Sequence, residues 1–354
     1  MKKMAFFVVI ITLLLSPCCK KEKEITIKIP LVTWGGYAAL FAANGGASPS
    51  EDSLFYKYGK FKVELIQEEN PTNQLIGFAG GAYPIIWSTM DMLPIHYLEL
   101  SKDKRTSPKV IGLFDYSRGG DGIIARGDIK DGADLKGKKI VTAQYTPSHY
   151  FILYYLDKFG LKAGDVNMIY VGDAILAKDA FVTQKDVDVC VTWSPFIYDL
   201  TDNTKESYIE GAKIIASTAD EYPYYGLIAD IYLARADFVE KNPEIIKNFT
   251  KAMIDGYDIF LQNKEKVAGQ IADLFGIKGG AEEVALMLND VTVAGKEENK
   301  RFFDSNEQFS AYNIFNISAR LYKESEKKLP EDYAIDPNLV VEGSFMLESI
   351  KYRL

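Results

Sequence analysis

The sequence predicts an α/β protein of two lobes joined by two crossover segments. Three observations carry that prediction. Apolar strands at Lys139–Ala143 and Val187–Thr192 each end in a short polar loop, and the first loop, Gln144 to His149, runs into a helix. A polar connection from Asp115 to Asp121, with two glycines that suit a bending backbone, separates two further apolar strands. From Asn242 onward the chain carries apolar faces at helix period. Open α/β sheets bind ligands at the carboxyl ends of their strands. The loop at 144–149 and the Trp193-Ser194-Pro195 turn therefore predict a site that captures a small molecule. A helix N-terminus there offers unpaired N–H groups and favours an anion or acceptor.

The elements follow in order. Ile25–Thr33 reads as the first strand, Tyr37–Asn44 as a short helix and Gly45–Ser50 as a loop. Phe61–Glu68 alternates as a strand, Asn73–Gly80 reads as a helix ended by Gly80-Gly81, and Tyr83–Trp87 as a strand. Asp91–Lys102 makes a helix with Pro94 in its first turn, followed by a strand at Val110–Phe114. The 115–121 connection is the first crossover, and a helix is expected near Ala174–Thr183. The return crossover is expected at Lys213–Thr218, and helices at Pro243–Gln262, Lys264–Phe275, Ala281–Leu288 and Ser305–Lys323. Residues 25–116 and 213–354 would form the first lobe with its C-terminal helices, and residues 117–212 the second.

Composition bounds the function. The 354 residues are 47% hydrophobic and 25% charged, as in globular proteins. Lys+Arg 41 against Asp+Glu 49 gives a net charge of −8, which argues against nucleic acid as a partner. Two histidines, no HExxH and no Walker loop give no basis for a metal, a cofactor or a catalytic centre. Cys190, within an apolar strand, reads as a small buried hydrophobe rather than a nucleophile. Lys2-Lys3 and the apolar stretch Met4–Leu15 read as a signal peptide. Leu15-Ser16-Pro17-Cys18 then resembles a bacterial lipoprotein processing site, although Pro17 departs from the usual small residue. Residues 1–17 would be removed, Cys18 lipidated and 18–24 left as a charged tether. Cys19 as the modified residue, or an ordinary signal peptide, are the alternatives.

DLKGKK at 134–139, the Thr146-Pro147-Ser148-His149 helix start and Trp193-Ser194-Pro195 occur in one order with Trp34-Gly35-Gly36-Tyr37, Trp87–Asp91 and Asp121–Ala125. Together they resemble the nitrate/sulfonate/taurine (NMT1/THI5-like) group of solute-binding proteins of bacterial ABC importers, over roughly Ile25 to Tyr257. The resemblance implies the type II periplasmic-binding-protein fold, in which a hinge closes two lobes over a solute. It further implies an ABC permease and its ATPase as partners, and a place in the cell envelope, in the periplasm or at the outer face of the cytoplasmic membrane. A monomer is expected. By matching positions the ligand-binding residues would be Trp34, Gly35 and Tyr37; Ser88, Thr89 and Asp91; Thr146, Ser148 and His149; and Trp193 and Ser194, with Arg118 entering from the crossover. The plainer reading is a cap for Thr146 or Ser148, a core ring for the tryptophans and a surface ion pair with Asp115 or Asp121 for Arg118.

The expected ligand is a small oxyanion of the nitrate, sulfonate or phosphonate type. A flat heterocycle such as a thiamin-type pyrimidine or a flavin is the alternative, suggested by Trp34, Tyr37 and Trp193. A surface lipoprotein that senses its ligand without transport is a further one. The same fold hosts a pyrimidine-forming enzyme of thiamin synthesis with a cysteine-rich motif, and this chain has no such motif.

Overall fold

A computed structural model describes residues 24–219 and 224–351. The expectations for the signal peptide and for Cys18 lie outside the described residues.

The first lobe opens with β1 (Thr26–Leu31), α1 (Ala38–Asn44), α2 (Leu54–Gly59), β2 (Lys62–Gln67), α3 (Pro71–Gly80), β3 (Ile85–Thr89), α4 (Leu93–Leu100) and β4 (Pro108–Ser117). Local chemistry sets these boundaries. Ser53 caps α2 by accepting from the Tyr56 N–H, and Asn70 caps α3 ahead of Pro71. Gly81, at φ 83°, closes α3 in the left-handed conformation. β1 and β2 pair in parallel, with Ile27, Ile29 and Leu31 buried against the helices.

The second lobe comprises β5 (Asp121–Ala125), β6 (Lys139–Ala143), α5 (Pro147–Lys158), β7 (Asn167–Val171), α6 (Ala174–Thr183), β8 (Val189–Trp193), α7 (Phe196–Thr201) and β9 (Lys213–Ser217). Its five strands lie in the order β7-β6-β8-β5-β9, with β5 antiparallel to its neighbours. One face packs α5 through Phe151, Ile152 and Leu153; the other packs α6 and α7 through Phe181 and Ile197. Both faces of β8 are covered, which is why Val189 to Trp193 runs apolar without alternation.

The chain then returns with β10 (Ala229–Arg235), α8 (Ala236–Lys241), α9 (Pro243–Gln262), α10 (Lys264–Phe275), α11 (Gly280–Met287), β11 (Val291–Val293), α12 (Lys296–Phe302), α13 (Ala311–Glu324) and α14 (Ser344–Lys351). β10 inserts between β4 and β3, antiparallel to both, in a sheet of order β11-β4-β10-β3. α9 lies against α1 so closely that a Cβ on Gly256 would sit 2.3 Å from the Ala39 carbonyl oxygen.

Two boundaries differ from the sequence reading. β9, expected to be the return crossover, pairs with β5 and completes the second sheet, so the chain re-enters the first lobe only with β10. α13, assigned to the first lobe, sends Leu321 and Tyr322 into the core beneath α5 of the second. A second hydrophobic face on that helix is invisible until its neighbours are known. The crossovers are tied together where they pass. The Ser117 and Thr218 hydroxyls lie 2.7 Å apart, and Thr218 Oγ1 also accepts from the Gly119 N–H at 2.9 Å.

Candidate functional site

The strand ends of both lobes meet around a tight chamber of about 10 Å³, lined by Val32, Trp34, Trp87, Asp121, Pro147, Trp193 and Asp230. That is room for about one water, so a solute enters only when the lobes part. Trp34 follows β1, Trp87 lies in β3 and Trp193 ends β8. The chain has 3 tryptophans, and all of them line this chamber.

Each indole N–H is already bonded. Trp34 Nε1 donates to both Asp115 carboxylate oxygens, at 3.3 and 3.2 Å. Trp87 Nε1 donates to Asp230 Oδ1 at 2.5 Å. Trp193 Nε1 crosses between the lobes to the Thr33 carbonyl oxygen at 3.1 Å. What the rings retain for a ligand is their π surface. Glycine makes room for this arrangement: a Cβ on Gly36 would lie 1.9 Å from Asp115 Oδ2, and one on Gly120 would lie 2.1 Å from Trp34 Cη2.

Four carboxyls converge here, all buried. Asp230 in β10 stands opposite Asp115 in β4 and Thr89 in β3. Asp121 opens β5, and Asp91 sits in the short turn that starts α4. Burial pushes Asp121 up to about 7, against the Ser117 hydroxyl that holds it down. Burial likewise pushes Asp91 up to about 7, against the Thr89 hydroxyl and with Asp121 adding to the rise. Asp115 and Asp230 lie well above the usual carboxylate range, first from burial and then from their acidic neighbours, with the Trp34 and Trp87 N–H groups acting in opposition. Asp121 Oδ1 has no hydrogen-bond partner. The hydroxyls of Ser148 and Thr192 are likewise buried and unpaired.

The sequence-predicted residues divide. Trp34 and Trp193 line the chamber, and Asp91 stands among the acidic groups just described. Gly35 packs against Met287, and Tyr37 is a buried ring edge-on to Phe114. Ser88 and Thr89 are buried at the end of β3, with the Ser88 hydroxyl directed to the Thr89 carbonyl at 3.4 Å. Thr146 is the residue before α5, yet its hydroxyl donates to the Ala143 carbonyl at 2.7 Å rather than capping the helix. Ser148 lies in the first turn of α5 beside Pro147, and Ser194 follows Trp193 with its N–H donating to the Gly120 carbonyl at 2.7 Å.

Two residues sit elsewhere. Arg118 lines a separate open groove with Tyr257, Lys264 and Glu282, and its N–H donates to the Asp290 carbonyl at 2.6 Å. His149 is turned away from the chamber. Its Nδ1 accepts the Tyr145 N–H at 3.2 Å, and its Nε2 faces Glu326 at 3.3 Å and the Tyr170 hydroxyl at 3.2 Å. Tyr145 holds a left-handed φ of 56°, so the imidazole fixes a strained turn. Burial lowers its pKa, against the pull of Glu326. Sequence reasoning missed Asp115, Asp121 and Asp230 as site residues. The available signal was an acidic residue inside an apolar strand run, Leu113-Phe114-Asp115 and Ile228-Ala229-Asp230-Ile231.

Two α/β lobes, two crossovers and a chamber at facing strand ends define a periplasmic-binding-protein fold. Residues 112–267 match the family described as NMT1/THI5 like, so the resemblance read from the motifs holds. The Escherichia coli (strain K12) taurine-binding periplasmic protein is 25% identical over 166 residues, 45% of this chain and 48% of that protein. The chain thus matches about half the length of that curated relative. Over the whole fold, the E. coli periplasmic aliphatic sulphonate binding protein SsuA superposes with TM-score 0.66 at 18% identity, covering 90% of this chain and 92% of that one. The nitrate-binding protein NrtA of Synechocystis PCC 6803 gives TM-score 0.66 at 15% identity over 93% and 89%. The desulfurization enzyme DSZB has the fold as well, with TM-score 0.60 at 15% identity over 94% and 100%, so the architecture alone does not separate binding from catalysis.

Proposed function

We propose that this chain is an extracytoplasmic solute-binding receptor that encloses a small molecule between its lobes and delivers it to the permease of an ABC importer. The observation that carries this reading is the chamber itself, walled by both lobes and bridged by the Trp193–Thr33 bond. Closure over a solute removes water from the contacts and strengthens them, and the closed form is favoured only by the solute's differential affinity for it. Tyr198 to Asp290 at 2.8 Å and Lys205 to Glu283 at 2.8 Å add bonds between the lobes outside the chamber.

The relatives' names favour binding as the role of the chamber. Cys190 is buried with its thiol pushed up by burial, and it points to the Ala177 carbonyl. Among the described residues no group of His, Cys, Asp and Glu is arranged to hold a metal ion. No helix of the described residues is long and apolar enough to cross a membrane, and attachment through a lipid on Cys18 would keep the receptor at the surface where the permease lies.

The relatives' names support a small oxyanion as ligand. The second reading, a flat ring, is favoured by the three indoles around the chamber. Spin labels on Lys57→Cys in the first lobe and Lys185→Cys in the second test the receptor directly. Their separation should shorten and narrow on addition of the cognate solute. A distribution unmoved by every solute that binds would overturn hinge capture.

A further inference from the structure

The chamber's lining offers an oxyanion no basic side chain and holds two carboxyl groups. Asp115 and Asp91 stand behind them, each electrostatically coupled to Asp121 or Asp230. The basic groups nearest in sequence are engaged elsewhere. Arg118 belongs to the other groove, and Arg235 donates to the Phe78 and Ala79 carbonyls and pairs with Asp237 at the far end of β10. Asp121 is 2% exposed, lines the chamber and keeps one carboxylate oxygen without a partner. Three indoles with their N–H groups already bonded offer π faces, which attract cations.

We infer that the solute bears a positive charge on an ammonium or amidinium group, which docks on Asp121 and Asp230 within the ring of Trp34, Trp87 and Trp193. This rests on the receptor reading and specifies its ligand. A purely anionic solute would find only protonated carboxyls to meet it and no basic side chain to pair with, whereas a cation can pair with a carboxylate as its proton leaves. The groups facing the carboxyls from neighbouring elements are acids too: Tyr37 at the start of α1, Tyr232 in β10 and Tyr150 in α5, with Glu69 beside Tyr37. Raising the pH therefore adds only negative charge around the chamber.

Because every tryptophan of the chain lines the chamber, tryptophan emission excited selectively, at the red edge beyond tyrosine absorption, reports on it. The full chain is titrated with choline and two matched pairs, taurine with ethanesulfonate and benzamidine with benzoate, and with nitrate. A cation-bearing probe should change the emission saturably while its matched anion does not. Its affinity should rise at least several-fold between pH 6 and pH 8, as the carboxyls ionise. Asp121→Asn should weaken it tenfold or more, with the circular dichroism spectrum kept; should that variant not fold, Asp230→Asn and the wild-type pH profile carry the same test. Binding of ethanesulfonate, benzoate or nitrate as tight as that of the cations, or affinity that falls as pH rises, overturns the charge inference but leaves a receptor. Silence from all three cation-bearing probes also overturns it, and hinge capture is then judged separately by the spin-label distances.

Discussion

Trp193 Nε1 and the Thr33 carbonyl oxygen, 160 positions apart in sequence, meet at 3.1 Å across the two lobes. The bond joins the end of one lobe's central strand to the loop after the other lobe's first strand, and it can exist only when the lobes are closed. Trp193→Phe keeps a ring in the chamber wall and removes this donor. A net hydrogen bond is worth about 0.5–1.5 kcal/mol, so solute affinity should fall roughly two- to tenfold by calorimetry.

The buried carboxyls predict an unusual pH profile. Asp91 and Asp121 are pushed from the ordinary range up to about 7 by burial. The folded closed state therefore holds protons that the unfolded chain releases near pH 4. Their stabilisation is complete below that value and is lost as pH rises towards and through 7, by up to about 1.4 kcal/mol per pH unit for each group. Depressed carboxyls such as Asp103, at about 2, titrate below this window. Urea unfolding of the solute-free chain should show stability falling between pH 5 and 7, and Asp121→Asn should flatten the slope.

Gly36 is a close-approach position. A methyl group there would meet Asp115 Oδ2 at 1.9 Å and Trp34 Nε1 at 2.6 Å. Gly36→Ala should force the Asp115–Trp34 pair apart, destabilise the fold by about 1–3 kcal/mol and weaken any solute held by Trp34. Tryptophan emission should shift in the variant even before solute is added.

Glu326 ties the segment after α13 to the second lobe through His149 and Tyr170. Glu326→Ala leaves both without their acceptor and should cost about 1–3 kcal/mol in urea unfolding. Solute affinity should change little, because none of the three lines the chamber. A large loss of binding with unchanged stability would return His149 to the site.

Cys190 should resist alkylation in the folded protein, since its thiol is buried and pushed away from ionisation. Ellman's reagent should react with it only after denaturant is added, on the timescale of unfolding.

Much of this fold was legible because its elements obey one local rule each. Lys139–Ala143, Ala174–Thr183, Pro243–Gln262 and Lys264–Phe275 have the ends the sequence predicts. β10 went unread because all seven of its residues are buried in the middle of a sheet, which erases the alternation that marks a strand. The chamber followed the same division. Trp34 and Trp193 could be picked out because each stands just after an apolar run. Asp115 and Asp230 come from strands 115 residues apart, and only their antiparallel register brings them face to face. A charge count of the whole chain could not distinguish those aspartates from the many on its surface. His149, a ligand candidate that equally reads as a plain helix-start side chain, is held away from the chamber by Glu326, which lies far along the sequence.

The knot at Thr218 has a mechanical meaning. One hydroxyl is shared by Ser117, Gly119 and Asp121, so the two strands that pass between the lobes are pinned side by side at a single point. A pinned pair can swing but resists sliding or shearing, which leaves the molecule close to one degree of freedom. On the receptor reading proposed above, occupancy of the chamber would reach the outside as one angle, and a docking partner would need to read nothing else to tell a loaded molecule from an idle one.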